Sequence, residues 1–231
     1  MTSIYAVNIK DLSDEDFYNI DLRCISSERR VRIQRMRFVN DRKLSFLSEL
    51  LLYYGFDQKL KGNKTIKYDE NGKPFFADYP EFGFNISHSG EWAAAAFSNY
   101  EVGIDIEKID SAKMDIAERF FHINEYNKLI SIENEEEKNR YFYTLWTLKE
   151  CYLKNTGIGL KGMDQALRFE INEETECFKD DVKVDKQFFS MLFDDGYCMS
   201  VCCDKKEVFK GERSIQMLSA SDLIDKYYDH V

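Results

Sequence analysis

The stretch FNISHSGEWAAAAFSNYEVGIDIE, residues 84 to 107, opens with a Ser-His-Ser turn and closes with two carboxylates, Asp105 and Glu107. Apolar and acidic residues alternate at its end, which predicts a β-strand whose alternate side chains share a face. We expect Asp105 and Glu107 to point the same way, about 7 Å apart, and Ile104 and Ile106 to point into apolar packing. Carboxylates held side by side repel unless water screens them or a hard cation such as Mg²⁺ lies between them.

Composition alone favours the simpler interpretation, an amphipathic strand with one wet face. A third carboxylate, Glu150 in WTLKECYLK, favours the metal site. It lies on a predicted helix over residues 138 to 155, one face of which carries Trp146, Glu150 and Lys154 at four-residue steps. Two alternatives stay open from spacing alone. Glu150 and Lys154 form an ordinary ion pair, or Glu150 completes a three-carboxylate magnesium site while Lys154 reaches a phosphate or the reacting oxygen.

The buried stripe of the same helix is predicted to contain Tyr141, Leu145, Leu148 and Tyr152, and we assign Trp146 to the core as well. The acidic run at 133 to 137 is interpreted as a solvated loop before the helix.

The chain has 231 residues, of which 44% are hydrophobic and 15% aromatic, and only two prolines, so we expect a packed globule of one or two domains. Six cysteines lack the paired spacing of a zinc site and are interpreted as reduced core residues. The first residues do not resemble a signal peptide, and no apolar run approaches eighteen residues. We therefore expect a soluble cytoplasmic protein that does not bind membranes.

A net charge of −10 argues against nucleic acid as a partner, yet residues 28 to 43 contain seven cations and two anions. Such a block is usually a solvated helix face. On an acidic protein it also suits a small phosphate-rich ligand.

The remaining pattern predicts both helices and strands. Residues 3 to 9 alternate like a strand, and residues 12 to 60 are helical in pattern until Gly55 ends the helix. Residues 98 to 100 are interpreted as a hairpin-like connection between two strands. Further helices are predicted at 112–121, 125–132 and 221–228, and further strands at 84–87, 92–97, 102–107, 167–171, 188–193, 197–202 and 214–218.

Four blocks resemble the Sfp-type 4′-phosphopantetheinyl transferases in content, order and spacing. They are FNISHSGEW at 84–92, GIDIEK at 103–108, FFHINEY at 120–126 and LWTLKECYLKNTGIGL at 145–160. Weaker similarity extends upstream through SSERRVR, NDRKLS and the NGKP turn, so the resemblance covers most of the chain.

The resemblance implies an α+β fold, a monomer of two similar α/β halves related by a pseudo-twofold axis. Residues 1–103 would form the half that binds the coenzyme A 3′-phosphate, and residues 104–231 the half with the metal-binding carboxylates. The implied reaction transfers 4′-phosphopantetheine from coenzyme A to a serine of an apo acyl or peptidyl carrier protein. It is magnesium-dependent and releases adenosine 3′,5′-bisphosphate.

The resemblance also assigns roles to residues. Asp105, Glu107 and Glu150 match magnesium ligands, and Glu150, Lys154 and Asp105 are the expected catalytic residues, with Glu150 as the base. The expected coenzyme contacts are Arg29, Arg32, Ser45, Lys73, Ser87, His88 and Lys154. Glu125 matches a glutamate near the metal.

The chain departs from the family pattern at a few positions. Ser48 and Tyr53 stand where relatives often have Gly and Arg, and arginines replace common lysines at 29 and 32. If the motif is disregarded, His88 could simply form hydrogen bonds to backbone groups of its own turn. Two other classes of protein remain open: a magnesium phosphotransferase or phosphohydrolase without a protein acceptor, and a non-catalytic module that binds coenzyme A or a carrier protein.

Overall fold

Two larger sheets share an apolar interior, and each has one long helix against its outer face, in a computed structural model that describes residues 1–206 and 215–228. The described residues also form two smaller sheets, one of two strands and one of three. The first half contains β1 (Ser3–Asn8), α1 (Asp14–Asn19), α2 (Ser27–Arg35), α3 (Val39–Lys59), β2 (Ile66–Tyr68), β3 (Pro74–Phe76), β4 (Gly83–Ser89) and β5 (Trp92–Ser98). The chain continues with β6 (Val102–Lys108), α4 (Met114–Phe120), α5 (Ile123–Ser131), α6 (Glu135–Thr156), β7 (Leu167–Ile171), β8 (Thr175–Lys179), β9 (Val182–Lys183), β10 (Lys186–Phe193), β11 (Tyr197–Asp204), β12 (Ile215–Leu218) and α7 (Ala220–Tyr228).

The strand orders are β12-β1-β5-β4 in the first sheet and β10-β11-β6 in the second. Side chains of β1, β5, β6 and β11 form one buried cluster between the two sheets. The long helices α3 and α6 close a second and a third cluster on the outer faces. The predicted α+β class is therefore confirmed. The pseudo-twofold relation between the halves stays a prediction.

The hairpin predicted through residues 98 to 100 is wrong. Strand β5 pairs with β1 on one edge and β4 on the other, whereas β6 pairs with β11 in the second sheet. Because β5 already has a hydrogen-bonded partner on each edge, it leaves no edge for β6. The connection after Ser98 instead crosses from one sheet to the other.

Gly55 does not end the first long helix, since α3 continues to Lys59. A Cβ atom at this position would lie 2.1 Å from the ring of Phe97, so the glycine makes room for an aromatic side chain of β5. The continuous helical pattern from residue 12 is also divided into α1, α2 and α3.

The acidic run at 133–137 is exposed as expected, but the loop prediction is wrong for its last three residues. Glu135, Glu136 and Glu137 form the first turn of α6 behind the cap residue Asn134. Negative side chains are favourable there because the helix dipole is positive at that end. At the other end, Gly157 adopts a left-handed conformation (φ 70°) and terminates the helix.

The C-terminal segment returns to the first half. Strand β12 lies parallel to β1, and α7 packs against α3. Residue 214, which was expected in this strand, lies outside the described residues. The predicted boundary after residue 103 falls inside β6, and as a division into two halves it stays a prediction.

Short strands were the elements that the sequence pattern did not predict: β2, β3, β8 and β9 contain two to five residues each. The cysteine prediction is confirmed, because all six are free and five are buried. No helix in residues 1–206 or 215–228 is long and apolar enough to cross a membrane.

Candidate active site

A cleft of about 450 Å³ lies between α2, the β2–β3 hairpin, β4, β6 and α6. Eight of the residues predicted to form the site line it together: Arg29, Arg32, Ser87, His88, Asp105, Glu107, Glu150 and Lys154. A larger groove of about 860 Å³ lies between β8 and β10, and none of the predicted site residues lines it.

The carboxylates form one wall of this cleft. Asp105 and Glu107 share a face of β6, and Ile104 and Ile106 are fully buried between the sheets, as predicted. Strand β6 approaches α6 at Gly103, where a Cβ atom would lie 1.9 Å from the carbonyl oxygen of Cys151. Only glycine permits this approach, which places the acidic face of β6 beside Glu150.

Asp105 is the most buried of the three carboxylates, with 3% of its surface exposed. Its Oδ1 accepts hydrogen bonds from Lys154 Nζ at 2.7 Å and from Ser87 Oγ at 2.8 Å. Lys154 Nζ also donates to Ser87 Oγ and to the Ile104 carbonyl. Lys154 therefore joins α6 to β6 within this wall, and the described residues contain no ion pair between Glu150 and Lys154.

The pKa values of the other two carboxyls are raised. Loss of water and the charge of Asp105 raise the pKa of Glu107, although Ser89 Oγ donates to it at 2.7 Å. Burial, followed by the charges of Asp105 and Glu107, raises the pKa of Glu150 to about 7. The wall thus concentrates more negative charge than Lys154 compensates.

These residues fit a divalent cation, although no group of three acidic, cysteine or histidine side chains in the described ranges has the geometry of a metal site. Asp105 Oδ2 is buried and has no hydrogen-bond partner. An unpartnered buried carboxylate oxygen beside two further carboxylates is the kind of oxygen donor set that Mg²⁺ prefers.

The opposite wall is cationic. Arg29 and Arg32 come from α2, where residues three apart lie on the same side of the helix, and His88 comes from the end of β4. Loss of water around the ring, followed by the charges of Lys154, Arg32 and Arg29, lowers the pKa of His88. Two arginines beside a histidine that can gain a proton form a site for an anion.

Two predicted coenzyme contacts do not line the cleft. Ser45 is 1% exposed, and its Oγ accepts a hydrogen bond from Arg29 Nη1 at 3.4 Å. Lys73 Nζ binds the Asn155 carbonyl and the Glu101 carboxylate, which ties the β2–β3 hairpin to the end of α6.

Glu125 lies in the interior of the second half, which corrects its expected place near the metal. Its carboxylate binds Lys149 Nζ at 2.9 Å and accepts the backbone N–H groups of His122 and Phe169. Every acceptor of Glu125 is therefore used to join α5, α6 and β7.

Trp146 was assigned to the core, and its ring does stack on Phe142 with an interplanar angle of 4°. It also lines the cleft, one helical turn before Glu150. The sequence analysis missed the contact of Trp146 with the cleft, although its four-residue spacing from Glu150 indicated it.

Comparison with known proteins identifies the family of this chain. A model of the 4′-phosphopantetheinyl transferase superfamily matches residues 101–202, and a model of the 4′-phosphopantetheinyl transferase N-terminal region matches residues 13–99. The chain belongs to the 4′-phosphopantetheinyl transferase superfamily and is an enzyme of this class, which confirms the resemblance drawn from the motifs.

Individual relatives are similar over nearly the whole chain. The 4′-phosphopantetheinyl transferase gsp of Aneurinibacillus migulanus is 33% identical over 99% of this chain and 96% of its own. The corresponding values are 34%, 79% and 84% for the 4′-phosphopantetheinyl transferase ffp of Bacillus subtilis. For the 4′-phosphopantetheinyl transferase Sfp of Bacillus subtilis (strain 168) they are 32%, 87% and 90%.

Proposed function

We propose that this protein transfers 4′-phosphopantetheine from coenzyme A to a serine of an apo acyl or peptidyl carrier protein. The reaction is magnesium-dependent and releases adenosine 3′,5′-bisphosphate. The observation that carries the proposal is the division of one cleft into an acidic wall and a cationic wall. Coenzyme A carries a phosphate on its ribose and a pyrophosphate further along, so it can use both walls at once.

Asp105, Glu107 and Glu150 are the residues that would hold Mg²⁺. When bound, the ion neutralises charge on the pyrophosphate as its bond breaks.

Arg29, Arg32 and His88 bind the 3′-phosphate. Arginine suits this task because its planar fork of N–H groups matches phosphate oxygens. Lys154 holds its ammonium group beside Asp105 and Ser87, where it can compensate charge on the departing phosphate. The N-terminal half therefore positions the coenzyme, and the C-terminal half handles its reacting end.

Glu150 is the proposed base. The serine oxygen of the carrier forms a bond to the phosphorus that bears pantetheine, and the bond from this phosphorus to the oxygen of the departing nucleotide breaks. The hydroxyl proton passes to Glu150, directly or through water. A carboxyl whose pKa is raised to about 7 is suited to accept a proton near neutral pH.

We further propose that the enzyme works as a monomer in the cytoplasm. Its six free cysteines suit a reducing compartment.

The test mixes the protein with coenzyme A, Mg²⁺ and an apo carrier protein and then weighs the carrier by mass spectrometry. We expect a gain of one phosphopantetheine group, which disappears with a chelator and with Asp105→Ala. A gain that survives both treatments would contradict the metal assignment. Turnover of a nucleotide without an acceptor would support a different phosphotransferase, and coenzyme A binding without transfer would support a binding module.

A further inference from the structure

The carboxylate of Glu49 is the centre of a buried network behind the cationic wall. This residue lies in the middle of α3 and is 1% exposed. Three groups donate to it: the backbone N–H of Ser26 at 2.7 Å, Arg29 Nε at 2.8 Å and the hydroxyl of Tyr53 at 2.6 Å. Of the residues in this network, Arg29 lines the cleft, whereas Glu49, Ser26 and Tyr53 lie behind it and were not assigned to the site described above.

Two of the bonds fix the position of α2. Ser26 is the cap residue of this helix, and its Oγ accepts the backbone N–H of Arg29 at 3.2 Å. Glu49 therefore binds both the backbone of Ser26, the residue before α2, and the side chain of Arg29 in its first turn. The next turn of α2 carries Arg32 into the cleft, so the same anchor places both arginines.

The network also fixes the plane of one guanidinium group. Arg29 gives Nε to Glu49 and Nη1 to Ser45, and only 9% of its surface is exposed. A guanidinium is planar and has five N–H groups, so bonds from two of its three nitrogens fix the plane of the group and the directions of the remaining N–H groups. Arg29 lines the cleft with the part of its side chain that these bonds leave available.

Tyr53 holds the carboxylate in turn. It follows Glu49 by one helical turn, and its hydroxyl shares Oε1 with the Ser26 N–H. The ring of Tyr53 is itself packed at an angle of 70° against Tyr227. A neutral hydroxyl adds a bond without competing for charge, so the negative charge of Glu49 stays with Arg29.

We propose that Glu49 and Tyr53 are positioning residues that aim Arg29 into the cleft and thereby set the preference for a coenzyme with a 3′-phosphate. This inference rests on the proposed function. The enzyme then recognises the 3′-phosphate with a guanidinium that is oriented before the ligand arrives, which lowers the ordering cost of binding.

The test compares dissociation constants for coenzyme A and dephospho-coenzyme A, measured by calorimetry on the full chain. The wild-type protein should prefer coenzyme A. Tyr53→Phe should reduce this preference about threefold and Glu49→Gln about tenfold or more, as expected for lost bonds to charged groups. The affinity for dephospho-coenzyme A should stay the same, which a merely structural role for the network does not predict.

Tyr227→Phe is the matched control. It removes the same type of bond, a tyrosine hydroxyl that donates to the Asp57 carboxylate at 2.8 Å, and should leave the preference unchanged. An unchanged or increased preference in Tyr53→Phe and Glu49→Gln would overturn the inference, and Tyr53→Phe alone decides it if Glu49→Gln does not fold. Wild-type protein without any preference would instead contradict the proposed 3′-phosphate contact.

Discussion

The two long helices, α3 and α6, pack against their sheets in similar ways but contribute differently to the cleft. Helix α3 packs on β5 and α6 packs on β6, and each has a buried carboxylate–cation pair at its side. Helix α6 presents Trp146, Glu150 and Lys154 directly to the cleft. Helix α3 contributes Leu52 to the lining and otherwise acts through α2, which it holds in place.

This difference separates two uses of a buried ion pair. The pair Arg29–Glu49 borders the cleft, and its arginine is part of the site. The pair Lys149–Glu125 is enclosed on all sides, and Lys149 lies between the rings of Phe121 and Phe169. The first pair orients a functional group, whereas the second joins helices and a strand.

Removing the cation of each pair should lower the free energy of unfolding by different amounts, and this is the largest effect that we expect. Lys149→Met leaves Glu125 as an unpaired buried charge and should lower the free energy of unfolding by about 3–5 kcal/mol. Arg29→Met should cost less, about 1–3 kcal/mol, because water from the cleft can reach Glu49. Urea denaturation of both variants measures this. Equal losses would mean that the Arg29 pair is as enclosed as the Lys149 pair.

Two glycines at contacts between a long helix and a strand, Gly103 and Gly55, offer a second comparison. Alanine at Gly103 would place Cβ 1.9 Å from a backbone oxygen of α6, and alanine at Gly55 would place it 2.1 Å from the Phe97 ring. Each change should destabilise the protein by about 1–3 kcal/mol. Only Gly103→Ala should also weaken Mg²⁺ binding in a calorimetric titration, since it separates β6 from Glu150. Equal Mg²⁺ binding by the two variants would contradict the role given to this approach.

The sequence predicted the features that depend on local periodicity. Alternation along β6 predicted the shared face of Asp105 and Glu107, and helical spacing placed Glu150 and Lys154 on one side of α6. The family resemblance supplied what periodicity could not, namely that these two elements meet.

Bonds between distant residues account for most of what was missed. Lys154 pairs with Asp105, 49 residues away, instead of with Glu150. A helical pattern shows that residues such as Glu49 and Lys149 occur on apolar elements, but not that their partners are buried beside them. Gly55 resembled a helix end because its ring partner, Phe97, is 42 positions further along the chain.

The affinity of the acidic wall for Mg²⁺ should depend on pH even when no coenzyme A is present. Protons compete with Mg²⁺ for Glu150, whose pKa is raised to about 7, so the affinity for Mg²⁺ should be constant above this pH and fall below it. The expected slope is about tenfold per pH unit for one competing proton. Calorimetric titration with Mg²⁺ between pH 6 and 8 measures it. Glu150→Gln should bind more weakly and with a smaller slope, and an unchanged slope would contradict the assignment.

Ligand binding at the cationic wall should depend on pH more weakly and in the opposite direction, becoming stronger as the pH falls. Loss of water and the charges of Lys154, Arg32 and Arg29 lower the pKa of His88, so the ring is mostly neutral at pH 7 and above. A bound 3′-phosphate favours the charged ring, and its binding should therefore take up a proton. The preference for coenzyme A over dephospho-coenzyme A should rise about two- to threefold as the pH falls from 8 to 6.5.

Two variants isolate this effect from the rest of the chain. His88→Gln should abolish this rise and leave at most a small fall at low pH, because the 3′-phosphate itself has a second pKa of about 6. His122→Gln should retain the wild-type dependence, because His122 caps α5 outside the cleft. In the proposed function, both coenzymes place the same pyrophosphate at the acidic wall. Comparing their affinities therefore cancels any pH-dependent change at that wall. A rise that survives in His88→Gln would assign the proton to another group and remove His88 from the 3′-phosphate site.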